Sequence, residues 1–367
     1  MSSCQQITLY YTNDFKLMKK LLILLIFTIV LFSCQTSEKH NSVKKPEVFS
    51  HDIEGKERPW FDDPVGREGD FTFAIISDLT GGERDRIFEV AVEQVNRFDP
   101  RFVLSVGDLI DGGTEDTLQL KLEWDDFDGR AKKLKKPFFH LGGNHDLTNP
   151  TMRKFWNTRY GPTYYHFIYN NVLFLMMDSE DFEENRMMEI YTARAKALKI
   201  INGEIPGEYT ESEYYNMEER LTGAITSSQK EYFQKVLEQN PDVDWTFVFM
   251  HKPVWLKEGQ PEWTDLEALL SKRNFTLING HYHSYSHRKK MNMDYIMLGT
   301  TGGAQDAEDP NSFDHISLVK MENGKPVLTN LRMDGILDET GHIPLNGDTL
   351  SFQAYKSTFV GKRIPGE

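Results

Sequence analysis

The first half of the chain alternates short apolar runs with stretches in which apolar residues recur every three or four positions. Apolar runs at 71–76, 102–106 and 137–141 predict three buried strands. The helical spacing of apolar residues predicts one helix over 83–97 and another over 118–134. Strands and helices that alternate in this way imply parallel pairing with right-handed crossovers, so we expect a βαβαβ unit.

The second half of the chain continues with strands and helices on either side of a charged segment. Apolar runs that flank Asn170-Asn171 predict a β-hairpin, because this dipeptide favours a tight turn. Residues 179–220 carry many acidic and aromatic side chains, and we interpret them as an insertion that is helical over 186–201. The insertion forms either a lid over a site or a solvated flap, and the flap is the simpler expectation because charge runs usually face water.

Downstream of the insertion, the pattern predicts two helices and six strands. The helices span 228–239 and 262–270, and the strands span 245–250, 275–278, 285–290, 295–298, 313–321 and 326–333. Asn323-Gly324 predicts a hairpin between the last two strands. We expect the last four strands to complete a second sheet.

Polar motifs follow five of the predicted strands. They are Ser77-Asp78-Leu79-Thr80, Gly107-Asp108-Leu109-Ile110-Asp111, Gly143-Asn144-His145-Asp146, Met250-His251-Lys252-Pro253 and Gly280-His281-Tyr282-His283. In open α/β sheets the ligand site lies beyond the carboxyl ends of the strands, so we expect these motifs to meet. Carboxylate, amide and imidazole ligands suit two adjacent hard or borderline divalent metals, and such a pair clamps the attacking and leaving oxygens of a phosphoryl group.

The ordered set of motifs resembles the calcineurin-like metallophosphoesterase superfamily, whose pattern runs D-x-H, G-D-x-x-D, G-N-H-D/E, H and G-H-x-H. The resemblance covers about residues 71–303. It implies an α/β (α+β) fold of two packed mixed β-sheets flanked by helices, a four-layer α-β-β-α sandwich. It also implies a phosphoesterase that hydrolyses phosphomono- or diesters with a bridging hydroxide between two divalent metal ions (Mn, Fe or Zn).

The resemblance assigns a role to each polar side chain of the motifs. It implies that Asp108 bridges the two metals, that Asp78 and His283 bind the first metal, and that Asn144, His251 and His281 bind the second. His281 and His283 project to the same side of an extended segment, because side chains alternate, so one imidazole serves each metal. Gly143 lets the backbone come close to the metals.

The third motif also supplies the candidate for proton transfer. By the resemblance, His145 donates a proton to the leaving oxygen, and Asp146 orients His145 by hydrogen bonding. Asp111 fixes the loop around Asp108. The purple acid phosphatase branch has a tyrosine ligand at the position of Asp111, so that branch is disfavoured. Four other histidines have weaker claims: His140, His166 and His315 are interpreted as structural, and His287 as structural or lining the site.

The first motif departs from the family pattern, because Thr80 stands where a metal-binding histidine is expected. The first metal would then bind more weakly and favour a hard ion such as Mn²⁺, or Thr80 would hydrogen-bond a ligated water. Gly81-Gly82 would open a helix at Glu83 and make an anion pocket. Arg84 or Arg86 would contact the substrate phosphate, or face solvent instead.

The departure at Thr80 leaves a second functional hypothesis open. The chain would then be a catalytically impaired lipoprotein that binds metal or phosphate on the same fold. Retention of His145 and Asp146 argues against this alternative, because neither is needed merely to hold a metal.

Composition limits the partners. The formal net charge of −14 over 367 residues disfavours a nucleic-acid-binding surface, because phosphate backbones need lysine and arginine. A small phosphoester can still bind where metals supply local positive charge. No obligate protein partner is evident from the sequence.

The N-terminal region resembles an export signal. Met18-Lys19-Lys20 precedes the apolar run 21–32, and Leu31-Phe32-Ser33-Cys34 resembles a bacterial lipoprotein box with Cys34 as the lipidated residue. We therefore expect a lipid-anchored protein of the bacterial cell envelope, with a plain export signal or an uncleaved anchor as the alternatives. Met18 is interpreted as the true start, which makes 1–17 a misread extension.

These patterns divide the chain into four parts. Residues 1–34 hold the misread extension and the signal peptide, and residues 35–70 form a polar tether from which Trp60 and Phe61 dock onto the domain. The metallophosphoesterase domain spans 71–335, and residues 336–367 form a C-terminal extension.

Overall fold

The computed structural model describes residues 48–66 and 68–352, which form thirteen strands, eight α-helices and five short 3-10 helices. The strands are β1 (Phe49–His51), β2 (Trp60–Phe61), β3 (Phe71–Ile76), β4 (Val103–Ser105), β5 (Phe138–Phe139), β6 (Tyr165–Tyr169), β7 (Val172–Met176), β8 (Trp245–Met250), β9 (Phe275–Asn279), β10 (Ser286–Lys290), β11 (Met293–Met297), β12 (His315–Glu322) and β13 (Lys325–Arg332). The α-helices are α1 (Ile87–Phe98), α2 (Thr117–Ala131), α3 (Asn144–Leu147), α4 (Pro150–Tyr160), α5 (Glu184–Ile201), α6 (Glu219–Thr222), α7 (Ser227–Gln239) and α8 (Pro261–Leu270).

The first sheet is built around three parallel strands and has the order β13-β12-β3-β4-β5-β2. β3 pairs with β4 and β4 with β5 in parallel, which confirms the predicted βαβαβ unit with α1 and α2 as crossovers. Helix α1 begins at Ile87, four residues later than predicted, because Arg86 has a left-handed backbone with φ 65°. Helix α2 begins where the Asp116 carboxylate accepts hydrogen bonds from the backbone N–H groups of Leu118 and Gln119.

The second sheet has the order β1-β6-β7-β8-β9-β11-β10. The predicted hairpin around Asn170-Asn171 is confirmed, because β6 and β7 pair antiparallel on either side of it. The prediction that the last four strands complete this sheet is wrong for two of them. β12 and β13 form the predicted hairpin, but β12 pairs antiparallel with β3 of the first sheet. β3 is the edge strand of the parallel unit, and the hairpin of β12 and β13 covers this edge.

Part of the predicted tether belongs to the sheets. β1 pairs with β6, and β2 pairs with β5. The Trp60 indole is buried and stacks on Phe139 with 5.4 Å between ring centroids, so the expected docking of Trp60 and Phe61 is seen. The domain therefore begins by Phe49 rather than at Phe71, because a few aromatic residues in a polar segment suffice to extend both sheets.

The expectations about the N-terminus concern residues outside those the structure describes. They comprise the signal peptide, the lipidated Cys34 and the misread extension, and they stay predictions. Among the described residues, none of the helices has the length and apolar character needed to cross a bilayer.

Alternating side chains of the strands divide the core into layers. In β3, Phe71, Phe73 and Ile75 face the second sheet, whereas Ala74 and Ile76 lie under the helices of the first sheet. Aromatic rings fill the space between the sheets, where Phe139 stacks on Phe167 at 4.2 Å between ring centroids. A third apolar cluster lies between the second sheet and helices α7 and α8. The predicted four-layer sandwich of two mixed sheets flanked by helices is confirmed.

The segment after β13 packs against the first sheet and its helices. Ile343 and Phe352 are buried in the same apolar cluster as α1. The Arg84 guanidinium donates hydrogen bonds to the carbonyl oxygens of Ser351 and Gly303, at 2.6 and 3.0 Å. The C-terminal extension is thus joined, through Arg84, to the loop that follows β11.

His140 lies at the end of β5 in the interior, as expected of a structural histidine. Its ring stacks on Tyr160 at 4.2 Å between centroids, and its Nδ1 donates to the carbonyl oxygen of Pro59 at 3.2 Å. Burial lowers the pKa of His140 to about 4, against the weaker opposing effect of Asp128. The imidazole is therefore neutral in the folded protein at pH 5, whereas it is charged in the unfolded chain.

We expect the free energy of unfolding to fall as the pH drops from about 6.5 to 4, because only the unfolded chain then binds a proton at His140. A His140→Gln variant keeps a donor for Pro59 and has no group to titrate. Between pH 7 and pH 5, this variant should lose about 2 kcal/mol less stability than the wild-type protein. Urea unfolding with a metal chelator present measures both losses, and equal losses would contradict a neutral buried His140.

Candidate metal centre

Six predicted metal ligands meet at the carboxyl ends of parallel strands in the two sheets. They are Asp78 after β3, Asp108 after β4, Asn144 after β5, His251 after β8, and His281 and His283 after β9, and all six are buried. Their ligand atoms form two groups that share one residue, Asp108. One group joins Asp108, His251 and His281, and the other joins Asp78, Asp108 and His283, with ligand atoms within 4.8 Å of one another in each group.

Each of the three imidazoles is oriented by a backbone carbonyl. His251 Nδ1 lies 2.9 Å from the oxygen of Val106, His281 Nε2 lies 2.9 Å from that of Arg220, and His283 Nδ1 lies 2.6 Å from that of Ala304. A carbonyl only accepts, so each of these nitrogens donates. The other nitrogen of each ring points into the centre, where it can bind a metal ion once it carries no proton, which is the usual arrangement behind a metal-ligating histidine.

The atoms that face the centre are acceptors at close range. His251 Nε2 lies 3.0 Å from Asp108 Oδ2, 3.1 Å from Asn144 Oδ1 and 3.3 Å from His281 Nδ1. His283 Nε2 is buried, lies 3.3 Å from Asp78 Oδ1, and has no hydrogen-bond partner among the described residues. Lone pairs turned toward each other repel unless a cation or a proton lies between them. The donor set of carboxylate, amide and imidazole therefore fits a pair of divalent metal ions.

Charges within the centre change the protonation of its members. Burial opposes the ionisation of Asp108, but the charge of His251, its hydrogen bond and the backbone N–H of His145 hold the pKa of Asp108 well below its ordinary value. Burial also disfavours a charged His251, but Asp108 and Asp78 raise the pKa of His251 to about 9. Burial places the pKa of His281 well below its ordinary value. Without metal, a proton on His251 thus balances part of the negative charge, and a bound cation must displace it.

The backbone at the ligands is strained. Asp78, Asp108, His281 and His283 all have positive φ, from 38° to 79°. The expectation of an extended Gly-His-Tyr-His segment is therefore wrong, because left-handed turns, rather than the alternation of a strand, direct each imidazole to its own group. Such backbone strain is typical of functional sites.

Gly143 brings two loops into contact, as expected. A Cβ on this residue would collide with Asp108 Oδ1 and would lie 2.7 Å from the ring of His251. The backbone N–H of the neighbouring His145 donates to Asp108 Oδ1 at 2.9 Å. Only glycine permits this close approach of the third motif to the second.

Asp146 orients the Asp108 loop rather than His145, which corrects its expected role. The buried carboxylate accepts hydrogen bonds from four backbone N–H groups at 2.8–3.2 Å, those of Asp108, Leu109, Ile110 and Gly143. Asp146 is the third residue of α3, and its side chain turns back toward the backbone N–H groups before that helix and in the Asp108 loop. Asp146 therefore fixes the position of a metal ligand through the backbone.

His145 lies beside the centre with both ring nitrogens engaged. Its Nδ1 donates to the carbonyl oxygen of Asp111 at 2.8 Å, and its Nε2 accepts from Arg194 Nη2 at 3.1 Å. Asp111 thus orients His145 through its main chain. Arg194 was not predicted as a site residue, because it lies in the middle of a charged helix and no motif marks it.

Thr80, the residue in place of the expected histidine, bonds to protein. Its side chain is fully buried, and its hydroxyl hydrogen-bonds the carboxylate of Asp111. The side chain of Asp111 therefore holds the first motif, while its carbonyl holds His145. This pairing connects the two loops that carry Asp78 and Asp108.

The Arg84 guanidinium, expected to contact the substrate phosphate, is bonded to protein groups. Besides the carbonyl oxygens of Gly303 and Ser351, its guanidinium donates to the buried carboxylate of Asp314 at 2.5 Å. Arg86, the alternative, lies at the start of α1 and donates to the carbonyl oxygen of Leu345. Gly81-Gly82 do not open a helix at Glu83 as expected, because α1 begins only at Ile87.

The 179–220 insertion contacts the centre at two points, through Arg194 of α5 and through the carbonyl of Arg220 behind His281. Glu180, at its start, pairs with the buried Lys252 next to His251, at 3.1 Å. The simpler expectation of a solvated flap therefore does not describe the segment, although its outer side is charged. Sequence periodicity alone could not show this, because charged residues of both signs, such as Glu189 and Lys196, lie on the exposed face of α5.

The remaining histidines lie away from the ligand atoms. His166 is in β6 and contacts the Tyr232 hydroxyl at 2.7 Å, whereas His315 is buried in the first sheet and accepts from the N–H of Gly299 at 2.9 Å. His287, the weaker candidate for the site, is exposed on β10 and pairs with Asp294 at 2.7 Å.

Comparisons with known proteins identify the same region. Residues 71–285 match the model of the calcineurin-like phosphoesterase family. Among solved structures, a dimetal phosphatase from Danio rerio is similar at 16% identity with a TM-score of 0.50, covering 73% of this chain and 96% of that one. No curated protein matches the sequence. At this identity the structural likeness shows a shared fold.

Two further solved structures are similar at lower TM-scores. A purple acid phosphatase from yellow lupin (Lupinus luteus) seeds matches at 13% identity and a TM-score of 0.47, covering 73% of this chain and 52% of that one. GAP50, the anchor in the inner membrane complex of Plasmodium, matches at 14% identity and a TM-score of 0.44, covering 79% of this chain and 90% of that one.

The role of Asp146 gives a test of the centre. An Asp146→Asn substitution turns an N–H₂ group toward backbone donors, and we expect it to destabilise the protein by about 2–4 kcal/mol. We also expect it to weaken Mn²⁺ binding at least about tenfold, because Asp108 loses its support. Urea unfolding and calorimetric titration measure the two effects. The matched control is Asp116→Asn at the start of α2, where asparagine caps equally well. Unchanged Mn²⁺ affinity in Asp146→Asn would refute the support role.

We expect the two ligand groups to bind metal unequally. Asn144 adds a fourth ligand to the Asp108, His251 and His281 group, whereas the Thr80 hydroxyl is bonded to Asp111 and adds none to the other. Mn²⁺ titration of chelator-treated protein should therefore show two phases with affinities at least about tenfold apart.

Two variants identify the phases. His283→Ala should remove the weaker phase and leave the tighter one, and His281→Ala should remove the tighter phase. A single phase of two equal sites in the wild-type protein would contradict the inequality.

Proposed function

This chain belongs to the calcineurin-like phosphoesterase family, and from that premise we propose that it hydrolyses small phosphoesters at a dinuclear centre built on Asp108. Two ligand groups that share this one buried carboxylate carry the proposal. Six side chains from distant parts of the chain converge there with their lone pairs inward, an arrangement that serves no purpose in packing. One ion would be held by Asp78 and His283, and the other by Asn144, His251 and His281. Asp108 would bind both ions.

The metal pair, when bound, supplies an activated water and neutralises negative charge on the phosphoryl group. The side chains of the protein supply the rest. In hydrolysis the water oxygen bonds to phosphorus, the bond from phosphorus to the ester oxygen breaks, and the ester oxygen takes up a proton. His145 is placed to hold that proton at Nε2, because its Nδ1 is fixed by the carbonyl oxygen of Asp111 at 2.8 Å.

His145 is well suited to this role because it is near the centre without belonging to it. Its Nε2 and the Nε2 of His283 both lie 3.6 Å from the point where a Cβ on Gly81 would stand. Its own ring makes no contribution to the two ligand groups. A residue that only held metal would be expected inside one of them.

The negative charge of the chain favours a small substrate. A net charge of −14 repels long polyanions, whereas a single phosphoryl group can be drawn to local cations. The 179–220 insertion lies over the His145 side of the centre and would form the leaving-group pocket.

The proposal is tested by hydrolysis of p-nitrophenyl phosphate and its bis-ester with added Mn²⁺. We expect turnover that a chelator abolishes. In His145→Ala, kcat should fall by about 10²–10⁴-fold while two Mn²⁺ ions remain bound. Asn144→Ala should lose both turnover and the tighter metal ion.

The matched control is His287→Ala, which removes an exposed imidazole outside the centre and should leave turnover unchanged. Tight Mn²⁺ binding without turnover on any phosphoester would overturn the proposal and favour a metal-binding protein on the same fold.

A further inference from the structure

Arg194 is a buried cation that the insertion places beside the metal centre. It lies on α5, its side chain is 3% exposed, and its Nη2 is 3.1 Å from His145 Nε2. A Cβ on Gly113 would come within 2.8 Å of its Nη1, so the guanidinium rests directly on the loop after Asp111. A guanidinium held beside an anion-binding centre is suited to bind an oxygen of the anion.

The hydrogen bond between Arg194 and His145 occupies a functional atom. His145 Nδ1 donates to a carbonyl, and arginine has only donors, so His145 Nε2 must accept from Arg194. This nitrogen is the atom that would face the leaving oxygen of a substrate. A phosphoryl oxygen is a stronger acceptor for a guanidinium than a neutral imidazole, so an arriving phosphate would take this hydrogen bond from His145.

Helix α5 holds Arg194 firmly in this position. Ile190, Ala193 and Ala197 on the same helix are packed in a buried cluster with Tyr214 and Met217. The helix cannot move away without exposing this cluster. Helix α5 therefore forms a packed wall on the Arg194 side of His145.

From this geometry we propose that Arg194 binds a non-bridging oxygen of the substrate and selects dianionic phosphomonoesters over diesters, an inference that rests on the proposed function. A monoester has three oxygens besides the leaving oxygen, and all three can accept a hydrogen bond. In a diester one of them carries a carbon substituent, which gives weaker hydrogen bonding and needs the room that α5 closes. Arg194 thus binds the third free oxygen of a monoester, and the wall that α5 forms excludes the second ester group of a diester.

The test compares Arg194→Met, Arg194→Lys and wild-type protein on p-nitrophenyl phosphate and bis-p-nitrophenyl phosphate in Mn²⁺. Arg194→Met should lower kcat/KM for the monoester by about 100-fold, the size of effect seen when one charge-stabilising donor is removed. The diester value should fall by less than about fivefold, because little of its binding uses this contact. Arg194→Lys should restore part of the monoester rate, since lysine keeps the charge without the planar fork.

A second readout does not depend on turnover. Inorganic phosphate, titrated calorimetrically into the Mn²⁺-loaded protein, should bind at least about tenfold more weakly to Arg194→Met than to wild type. Lys196→Met is the matched control, because it removes an exposed positive charge from the same helix and should change neither quantity. Melting temperature and Mn²⁺ content establish that each variant is folded and loaded.

The outcomes separate this inference from the proposed function. Equal losses on both esters, or an unchanged monoester rate, would overturn the role of Arg194 while leaving the phosphoesterase in place. If wild-type protein hydrolyses neither ester, the proposed function fails, and the phosphate titration decides the role of Arg194 by itself. Equal phosphate affinity in wild type and Arg194→Met overturns it.

Discussion

The buried carboxylate of Asp108 is the constraint on which the rest of the structure depends. A negative charge in the interior is tolerated only where cations and donors surround it. Here the carboxylate receives the N–H of His145, faces His251, and lies in both candidate ligand groups. Strand β4 carries it to the edge of the first sheet, and the neighbouring strand ends bring the other ligands to it. The parallel order of the strands is therefore what concentrates the polar residues at one edge.

Much of this arrangement could be predicted, because local chemistry determines it. The apolar run of β3 and the polar residues that follow it are contiguous, so sequence periodicity locates both the strand and Asp78. The types of side chain then suffice to indicate a metal centre, because residues with carboxylate, amide and imidazole groups follow one predicted strand after another along the chain. The pairing of β12 with β3 could not be predicted, since a hairpin fits either sheet and only the uncovered edge of β3 decides between them.

The errors at the site share another cause. The motifs assign Asp146 to His145 and Arg84 to the substrate, but most partners of these two side chains are backbone groups in other loops. Sequence motifs show which side chains are present, but they do not show which main-chain donors and acceptors will lie next to those side chains. Arg194 was missed for a related reason, since nothing in a charged helix distinguishes the one arginine that faces inward. Arg194 lies in the insertion, and only the tertiary packing of the insertion brings this arginine to the centre.

The contact between Arg84 and the end of the chain has a consequence for the order of assembly. The Arg84 guanidinium joins the carbonyl oxygens of Gly303 and Ser351, and Gln305 donates to that of Phe352 at 3.3 Å, next to the carbonyl of Ala304 that orients His283. The loop that orients His283 is thus held by contacts with residues that are synthesised about seventy positions after His283. A nascent chain that has emerged only as far as β11 carries all six candidate ligands but lacks these contacts, so the loop behind His283 is fixed in place only after residues 351 and 352 have been made.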